Sequence, residues 1–401
     1  MHASSRLGHV LRFGLAALVV AAPALASGGG RASAASLVFD PPVPAITSCA
    51  NGCYEPTVAV DGKGRIFATV GAGDRMAVSR DGGRHFRPIA PPPDLLEEGG
   101  GRGGDAIVQT APSGRLYYSI LANNGIQVAW SDDGARTWGS NTVVSPVSAS
   151  PTASFVADRQ WLAFGRRPGE VFLSYSQIPT GLWVLRSTDG GRTFPQFTRA
   201  SPVEQRQDIG QAGPAVVGPS GRVYLPYFAG LGGDGPTRLV VATSDDSGKT
   251  FVERVAYDGH GGAAGGGFPI LSVGKHEELS LTWWLGGGMT FASQSRNRGA
   301  TWRLLRDVGP EGATTWTCPW VATHGKSMDV AAFRSDRSGP RDLVFTRLTG
   351  ARAQAVTAAS NIAPSSGCNT DFAIIAYTKS GCAILPYFDA KKGVLVARQR
   401  C

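Results

Sequence analysis

Five copies of one short motif place the strongest constraint on the fold of this chain. The motif reads Ser-x-Asp-x-Gly-x-Thr-aromatic, and its copies are SRDGGRHF, SDDGARTW, STDGGRTF, SDDSGKTF and SRNRGATW. They begin at Ser79, Ser131, Ser187, Ser244 and Ser295, so neighbouring copies are about 50 residues apart. A fixed spacing of this size is typical of β-propeller blades.

A second repeated element occurs seven times along the chain. It consists of an apolar strand, a glycine-containing turn and a strand rich in aromatic and β-branched residues, as in PAVVGPSGRVYLPYF at 214–228. Each unit then supplies a third strand and a fourth strand, and four antiparallel strands make one blade. The sequence therefore predicts an all-β propeller of seven blades, with six blades as the alternative if one unit is wrongly divided.

The last unit supplies only three strands before Cys401. The β-like run at 36–39 is the expected fourth strand, which would close the ring by pairing the N-terminal segment with the last blade and remove both exposed edges. Before it, a positive start, an apolar stretch and small residues are typical of a signal peptide, with cleavage after residue 26 or 34. We expect a signal peptide (1–34), a closing segment (35–54) and a propeller (55–401) in a secreted protein.

Composition limits the classes of partner and cofactor. The net charge is +9 without a Lys/Arg cluster, so a nucleic-acid partner is not indicated. The apolar stretch of the leader is too short to span a bilayer, and no stable membrane insertion is expected after its removal. The six histidines lack metal-ligand spacing, so we expect no metal and no cofactor.

Export makes the six cysteines candidates for disulfide bonds. Spacing alone does not determine the pairing. Their positions at the strands favour three pairs, which are Cys49 with Cys53, Cys318 with Cys368, and Cys382 with Cys401.

The acidic residue of the repeated motif has a structural explanation. Ser and Asp side chains hydrogen-bond to the backbone of their own turn, Gly takes a positive φ, and the terminal aromatic ring packs between strands. One carboxylate per turn, on separate blades, cannot converge on a metal ion. We assign this structural role to Asp81, Asp133, Asp189, Asp246 and Asn297.

These motifs resemble the Asp-box, or BNR, repeats of the sialidase-like propellers, over about residues 55–401. That superfamily includes exo-sialidases, other glycan-active enzymes and proteins with binding or assembly roles. For a true sialidase the resemblance implies an Arg-Ile-Pro motif, an arginine triad, a Tyr/Glu nucleophile pair and an Asp acid/base. This sequence has no Arg-Ile-Pro, and LVFDPPVPAITSC before the first blade has no arginine. No catalytic residue is therefore carried over from the family.

Innermost strands begin and second strands end at the face opposite the motifs. Since the motifs are explained by their own turns, we predict the ligand site on this opposite face, around the axis. Polar residues at the starts of innermost strands are Glu55, Asp105, Asp158, Arg159, Asp208, Gln211 and Asp371. Aromatic residues near the ends of second strands are Tyr175, Tyr227, Trp283 and Tyr387. An aromatic platform beside polar groups suits a sugar or another polar ligand. The alternative for these aromatic rings is packing between blades.

The adjacent pair Asp158 and Arg159 ranks first in this set, either as a site for a charged group or as a surface ion pair. Asp105, Asp158 and Asp371 are the candidates for a general acid and base. Three functions follow as hypotheses. The protein binds an extracellular glycan or another polar ligand, it is a divergent glycoside hydrolase or lyase, or it is a scaffold for protein assembly.

Overall fold

The repeated units fold into seven antiparallel β-sheets, each forming one blade of a propeller, in a computed structural model of the chain. The predicted seven-bladed propeller is confirmed. The structure describes residues 37–48, 53–93, 102–122, 125–143, 156–178, 180–202, 209–232, 235–285, 288–305, 307–313, 317–335, 339–363 and 372–401. The predicted signal peptide lies outside these ranges. Within them, no helix has the length and apolar character needed to cross a membrane.

The strands follow one another blade by blade. After β1 (Val43–Ile46), blade 1 contains β2 (Thr57–Val60), β3 (Ile66–Thr69), β4 (Met76–Ser79) and β5 (Arg87–Ile89). Blade 2 contains β6 (Arg102–Thr110), β7 (Leu116–Ala122), β8 (Gly125–Ser131) and β9 (Gly139–Val143). Blade 3 contains β10 (Val156–Phe164), β11 (Val171–Ile178), β12 (Gly181–Ser187) and β13 (Gln196–Arg199).

Blade 4 contains an innermost strand in two pieces, β14 (Ile209–Ala212) and β15 (Val216–Val217), then β16 (Val223–Gly232), β17 (Gly235–Ser244) and β18 (Val252–Asp258). Blade 5 contains β19 (Gly266–Val273), β20 (Leu279–Leu285), β21 (Met289–Ser295) and β22 (Arg303–Leu305). Blade 6 contains β23 (Trp320–His324), β24 (Ser327–Arg334), β25 (Arg341–Thr349) and β26 (Arg352–Ile362). Blade 7 contains β27 (Ala376–Tyr377), β28 (Ala383–Asp389) and β29 (Gly393–Arg398).

The N-terminal segment completes blade 7. Strand β1 pairs antiparallel with β29, and Val43 lies opposite Val396. Upstream, Phe39 forms an isolated bridge with Gln399. The predicted closing run at 36–39 therefore contributes one bridge, while the regular strand comes later. The ladder is interrupted at 41–42 because two consecutive prolines have no N–H group to donate.

The C-terminus is covalently attached to the same blade. Cys382 and Cys401 form a disulfide bond with their Cα atoms 5.8 Å apart, which confirms the predicted pair. Cys53 and Cys318 are also disulfide-bonded. Their predicted partners, Cys49 and Cys368, lie outside the described residues, and those two pairings stay predictions.

The hydrophobic cores lie between neighbouring blades. Phe67 and Tyr118 pack together between blades 1 and 2, and Phe228 packs with Trp283 between blades 4 and 5. All four side chains are fully buried. Burial of one such side chain stabilises the fold by roughly 1.5–3 kcal/mol. Since each blade supplies only one wall of each core, a blade needs a neighbour on both sides.

Each repeated motif, hereafter a box, forms a compact hydrogen-bonded turn between the third and fourth strands of its blade. In blade 3, Ser187 Oγ donates to Asp189 Oδ1 at 2.7 Å and accepts from the Gly191 N–H at 2.9 Å. Asp189 also accepts from the backbone and the hydroxyl of Thr193, at 3.0 and 2.6 Å. Phe194 then enters the core between blades 2 and 3. Equivalent bonds are made by Asp81, Asp133, Asp246 and Asn297.

The box turns also receive side chains from the preceding blade, a contact that the motif alone does not predict. Arginines in the turn after the innermost strand donate to box carbonyls of the next blade, as the following pairs show: Arg65 with Asp133 O at 3.2 Å, Arg115 with Gly190 O at 3.3 Å, and Arg222 with Arg298 O at 3.5 Å. Between blades 3 and 4, Gln196 donates to Ser247 O at 3.1 Å. These bonds place the boxes and the first-to-second-strand turns on one face, the box face.

Replacing the box aspartate by alanine should destabilise the fold more than replacing it by asparagine. Asn297 already makes the same turn without a charge, at 3.0 Å from Ser295 Oγ. We expect Asp189→Ala to lower the free energy of unfolding by about 1–2 kcal/mol and Asp189→Asn by clearly less. Urea unfolding of the three proteins at neutral pH measures this, and equal losses in both variants would contradict it.

The same comparison has a defined pH dependence. Burial raises the pKa of Asp189, but hydrogen bonds from Thr193, Ser187 and the Arg192 backbone outweigh it and lower the pKa to about 2, from an ordinary value of 3.8. The stabilisation by this carboxylate is therefore complete above the ordinary value and is lost as the pH falls through about 2. The advantage of the wild type over Asp189→Ala should shrink across that interval.

Candidate functional site

Charged residues with a left-handed backbone lie just before the innermost strand of blade 1 and near the beginning of the innermost strands of blades 2 and 3, at the face opposite the boxes. The φ angles are 51° at Glu55, 54° at Asp105 and 56° at Arg159. In blades 2 and 3 the ladder to the second strand shifts its register at this point, which is a β-bulge. A left-handed conformation costs a residue with a Cβ atom about 1–2 kcal/mol, and such strain is concentrated at functional sites. The bulges bring the three side chains into one cluster.

The described residues at the equivalent positions of blades 4 to 6 carry no charge. Counted from the register with the second strands, blade 4 has Ala212 there. The next residue is Gly213, and a Cβ atom on it would lie 1.7 Å from the carbonyl oxygen of Pro269 in blade 5. Blade 5 has Phe268, directly after Gly267 with φ 67°, and blade 6 has the disulfide-bonded Cys318. The described charges at these positions therefore lie on one side of the axis.

Arg159 is the centre of the cluster. Its Nη1 atom lies 2.7 Å from Glu55 Oε1 and 3.6 Å from Asp105 Oδ2. Its Nε atom lies 3.6 Å from Asp158 Oδ1. The main partner of the guanidinium is thus Glu55, 104 residues away in the sequence, and not the adjacent Asp158 that sequence order suggests.

Two phenylalanines cover the guanidinium on its other side. The Arg159 guanidinium carbon lies 4.6 Å from the ring centre of Phe268 in blade 5 and 5.7 Å from that of Phe372 in blade 7. Such distances allow cation–π attraction, which is stronger when the cation is desolvated. A single side chain of blade 3 thereby contacts blades 1, 2, 5 and 7, which places it near the propeller axis.

An aromatic cluster lies next to this contact. The ring centre of Phe372 is within 5.9 Å of the ring centres of Trp161, Phe268 and Trp320. Toward the box face, the ends of the innermost strands line a cavity of about 640 Å³, to which Trp320 also contributes. The aromatic cluster therefore lies between the Arg159 cluster and this second cavity.

Burial controls the protonation of the cluster. The side chain of Glu55 is only 3% exposed, and its Oε2 atom has no hydrogen-bond partner among the described residues. Burial raises the pKa of Glu55 to about 8, with Asp105 adding to the rise and Arg159 opposing it. Burial and the neighbouring Asp105 also raise the pKa of Asp158, against the attraction of Arg159.

The carboxyl groups differ in their access to solvent. Asp105 interacts with both Glu55 and Asp158 and raises the pKa of each, so the three acids form a connected row. The exposed fraction of the side chain is 18% for Asp105 and 39% for Asp158. The row therefore runs from a buried carboxyl that holds a proton at neutral pH to an accessible one, an arrangement suited to hydrogen bonding and proton transfer with a ligand.

The prediction that aromatic residues near the ends of second strands form a ligand platform is wrong, and the alternative, packing between blades, is observed. Tyr175, Tyr227, Trp283 and Tyr387 are all buried, and they belong to the cores between blades. Both faces of a blade are covered by neighbours, so a ring near the end of a second strand packs against the next blade. Gln211 lies in β14, but its side chain, like all of Asp208 and Asp371, lies outside what the structure describes.

Two residues that the sequence analysis missed adjoin the cluster. Tyr54 is half-buried beside Glu55, and its pKa is raised by burial and then by the charges of Glu55, Asp105 and Asp74. Asp74 is buried in the turn after the second strand of blade 1. Tyr54 directly precedes Glu55 in the sequence, and this position is the signal that could have identified it as part of the site. The described part of the chain has no group of three or more His, Cys, Asp or Glu residues arranged to hold a metal ion.

No family model and no curated protein sequence matches this chain. Solved structures do match it. A catalytically inactive variant of virginiamycin B lyase from Staphylococcus aureus, with quinupristin, has a TM-score of 0.56 and 10% identity, covering 91% of this chain and 100% of that one. YCF48 bound to a D1 peptide has a TM-score of 0.53 and 13% identity, covering 91% and 99%.

A third matching structure covers less of this chain. An α-L-arabinofuranosidase from Fusarium graminearum, in complex with an iminosugar inhibitor, has a TM-score of 0.52 and 15% identity, covering 73% of this chain and 92% of that one. At these identities the likeness shows the fold alone. The chemistry must be argued from the residues of this chain.

The proton on Glu55 should make stability fall with rising pH. The pKa of Glu55 in the fold is about 8 against an ordinary 4.5, so the folded state keeps a proton that the unfolded state loses. This contribution is complete below the ordinary value and is lost as the pH rises through about 8. Glu55→Gln should flatten the decline, by up to about 1.4 kcal/mol per pH unit. Urea unfolding between those two pH values measures it, with the exposed Glu311→Gln as control, and parallel curves would contradict it.

Proposed function

We propose that this protein binds a polyhydroxylated extracellular ligand, of the glycan class, at the cluster of Glu55, Asp105, Asp158 and Arg159. The observation that carries this proposal is the convergence of three blades on one guanidinium, with Asp105 and Asp158 still accessible. Carboxylates accept hydrogen bonds from hydroxyl groups, and several acceptors at fixed positions can select the orientation of a sugar. The half-exposed ring of Tyr54 offers an apolar surface beside them.

The charge of the cluster argues for a neutral or cationic ligand. Three carboxyl groups surround one guanidinium, and that guanidinium is already bonded to Glu55 at 2.7 Å. An anionic sugar would meet more carboxyl groups than guanidinium groups, and Arg159 is the one arginine of the cluster among the described residues. This supports a ligand other than a sialic acid, in agreement with the absence of the sialidase motif from the sequence.

Replacing the accessible acids should weaken ligand binding without unfolding the protein. A microarray of neutral oligosaccharides identifies a ligand for the wild type, and calorimetric titration then compares variants. We expect Asp105→Asn and Asp158→Asn each to weaken binding about tenfold, since each removes a charged acceptor. Asp132→Asn, which changes an exposed acid on the box face, is the matched control. Equal affinities in all four proteins, or no neutral oligosaccharide bound, would reject the proposal.

A second function, acid–base catalysis on such a ligand, is favoured by one observation. Glu55, with a pKa of about 8, holds a proton at neutral pH beside Asp105. A pair of carboxyl groups with different protonation is what a glycoside hydrolase or a lyase uses. Two of the structures that share this fold are named as a lyase and an arabinofuranosidase, so the fold is compatible with both chemistries.

Turnover measurements separate binding from catalysis. We expect a catalytic cluster to hydrolyse or eliminate at least one aryl glycoside, with activity that declines above a pH of about 8 as Glu55 loses its proton. Glu55→Gln should then abolish turnover while leaving ligand affinity within about threefold, because the amide keeps the shape and one hydrogen bond. Full activity in Glu55→Gln would exclude this role, and binding without turnover on any substrate would leave the binding function alone.

A further inference from the structure

The regular contact between consecutive blades on the box face stops after blade 5. In each of blades 1 to 4, one side chain donates a hydrogen bond to a backbone carbonyl oxygen in the box of the following blade. These side chains are Arg65, Arg115, Gln196 and Arg222. Blade 6 has no box, and the turn between β25 and β26 is only two residues long. Among the described residues, no side chain of blade 5 hydrogen-bonds to that turn. A gap is therefore left where other neighbours are joined.

This gap is a groove of about 750 Å³ between blades 5 and 6. Arg296, Arg303 and Lys326 line it and are exposed to solvent. No carboxylate in the described part of the chain lies within salt-bridge distance of these three cations. The box of blade 5 reads SRNRGATW, and its Asn297 keeps the turn hydrogen bonds while omitting the acid of the other boxes. Glu278 is the one acid among the lining residues that the structure describes, and its carboxylate accepts from the backbone N–H of His276 at 2.8 Å. Three cations against one acid leave the rim with a net positive charge.

The wall of the groove is aliphatic. Leu304, Leu305 and Leu348 line it and are only half-buried. No phenylalanine, tyrosine or tryptophan is among the lining residues that the structure describes. Sugars are usually bound on aromatic rings, whereas aliphatic side chains and a positive rim suit a peptide with apolar and acidic residues.

The backbone beside the groove favours a peptide for a second reason. Strand β22, which contributes Arg303, Leu304 and Leu305, is the outermost strand of blade 5. It pairs with β21 on one edge, and no described strand pairs with its other edge. Free backbone groups at a sheet edge can pair with an added peptide strand.

We propose that this groove, defined by Arg296, Arg303, Leu304, Leu305, Lys326 and Leu348, binds an extended acidic segment of a partner protein. Leucine-like side chains of the segment lie against the aliphatic wall, and its carboxylates pair with the rim. The site lies on the box face, so it is separate from the Arg159 cluster. The protein would thereby hold a polar ligand on one face and a protein partner on the other.

Blade 1 supplies a matched control for the test. Arg80 lies in the box of blade 1 where Arg296 lies in that of blade 5, and Arg87 directly follows its box as Arg303 does. Both arginines of blade 1 are exposed. The double variant Arg296→Glu with Arg303→Glu is compared with Arg80→Glu and Arg87→Glu. Both carry the same change in charge. Circular dichroism and thermal unfolding check that each variant is folded.

The probe is a labelled ten-residue synthetic peptide of alternating glutamate and leucine, followed by fluorescence anisotropy. We expect saturable binding to the wild type and to the blade 1 variant, and affinity at least about tenfold lower for the blade 5 variant. Binding should also weaken as salt is raised. A glutamine–leucine peptide tests the charge, and oligogalacturonate tests an anionic polysaccharide.

The outcomes are distinct. Loss of peptide binding only in the blade 5 variant supports the groove as the site. Equal binding to the two variants, equal binding of the glutamine peptide, or binding of oligogalacturonate without the acidic peptide would each overturn the proposal. Should the blade 5 variant fail to fold, Lys326→Glu alone gives the same comparison at an exposed turn.

Discussion

The pairing of β1 with β29 is the constraint on which the rest of this structure depends. Most of the hydrophobic cores lie between two neighbouring blades, and one gathers residues from blades around the axis. An open chain of blades would therefore leave one apolar surface at each end. The core between blades 7 and 1 includes Ile46 of β1 together with Val70 and Val394, so the closing strand seals that core and also completes a sheet. The Cys382–Cys401 disulfide fastens the other chain end to the same blade.

Closure also assembles the candidate site. Arg159 of blade 3 meets Glu55 of blade 1, Phe268 of blade 5 and Phe372 of blade 7 only in a complete ring. Inside this contact the guanidinium of Arg159 and the carboxyl group of Glu55 satisfy part of each other's hydrogen-bonding capacity. Asp105 and Asp158 remain accessible to solvent. Because Glu55 keeps its proton at neutral pH, the contact joins a buried guanidinium to a neutral carboxyl. It contributes little net stability, because desolvation of the guanidinium opposes the attraction. Its position at strained backbone bulges is better explained by function.

The two faces of the propeller have different chemistry. The boxes use their acids within their own turns, where hydrogen bonds hold these acids ionised, and arginines of the preceding blade bind the box carbonyls. This face is therefore mainly structural, except where the series of contacts ends at blade 6. The opposite face carries acids that are not used in turns, and burial keeps one of them protonated.

The sequence by itself determined the propeller fold and the box turns, and it favoured seven units and the last disulfide, because each depends on residues close along the chain or on a simple repeat. It also indicated the charged residues at the starts of the innermost strands. It could not show whether four aromatic residues are buried or exposed: Tyr175, Tyr227, Trp283 and Tyr387. Both faces of every blade are covered, so the alternation of side chains along a strand does not distinguish a core position from a ligand surface. Only the tertiary structure paired Arg159 with Glu55, 104 residues apart, and placed glycine where blade 5 approaches blade 4. The contacts of Arg159 join blades that are not neighbours in the ring, and no local pattern encodes which blades meet at the axis.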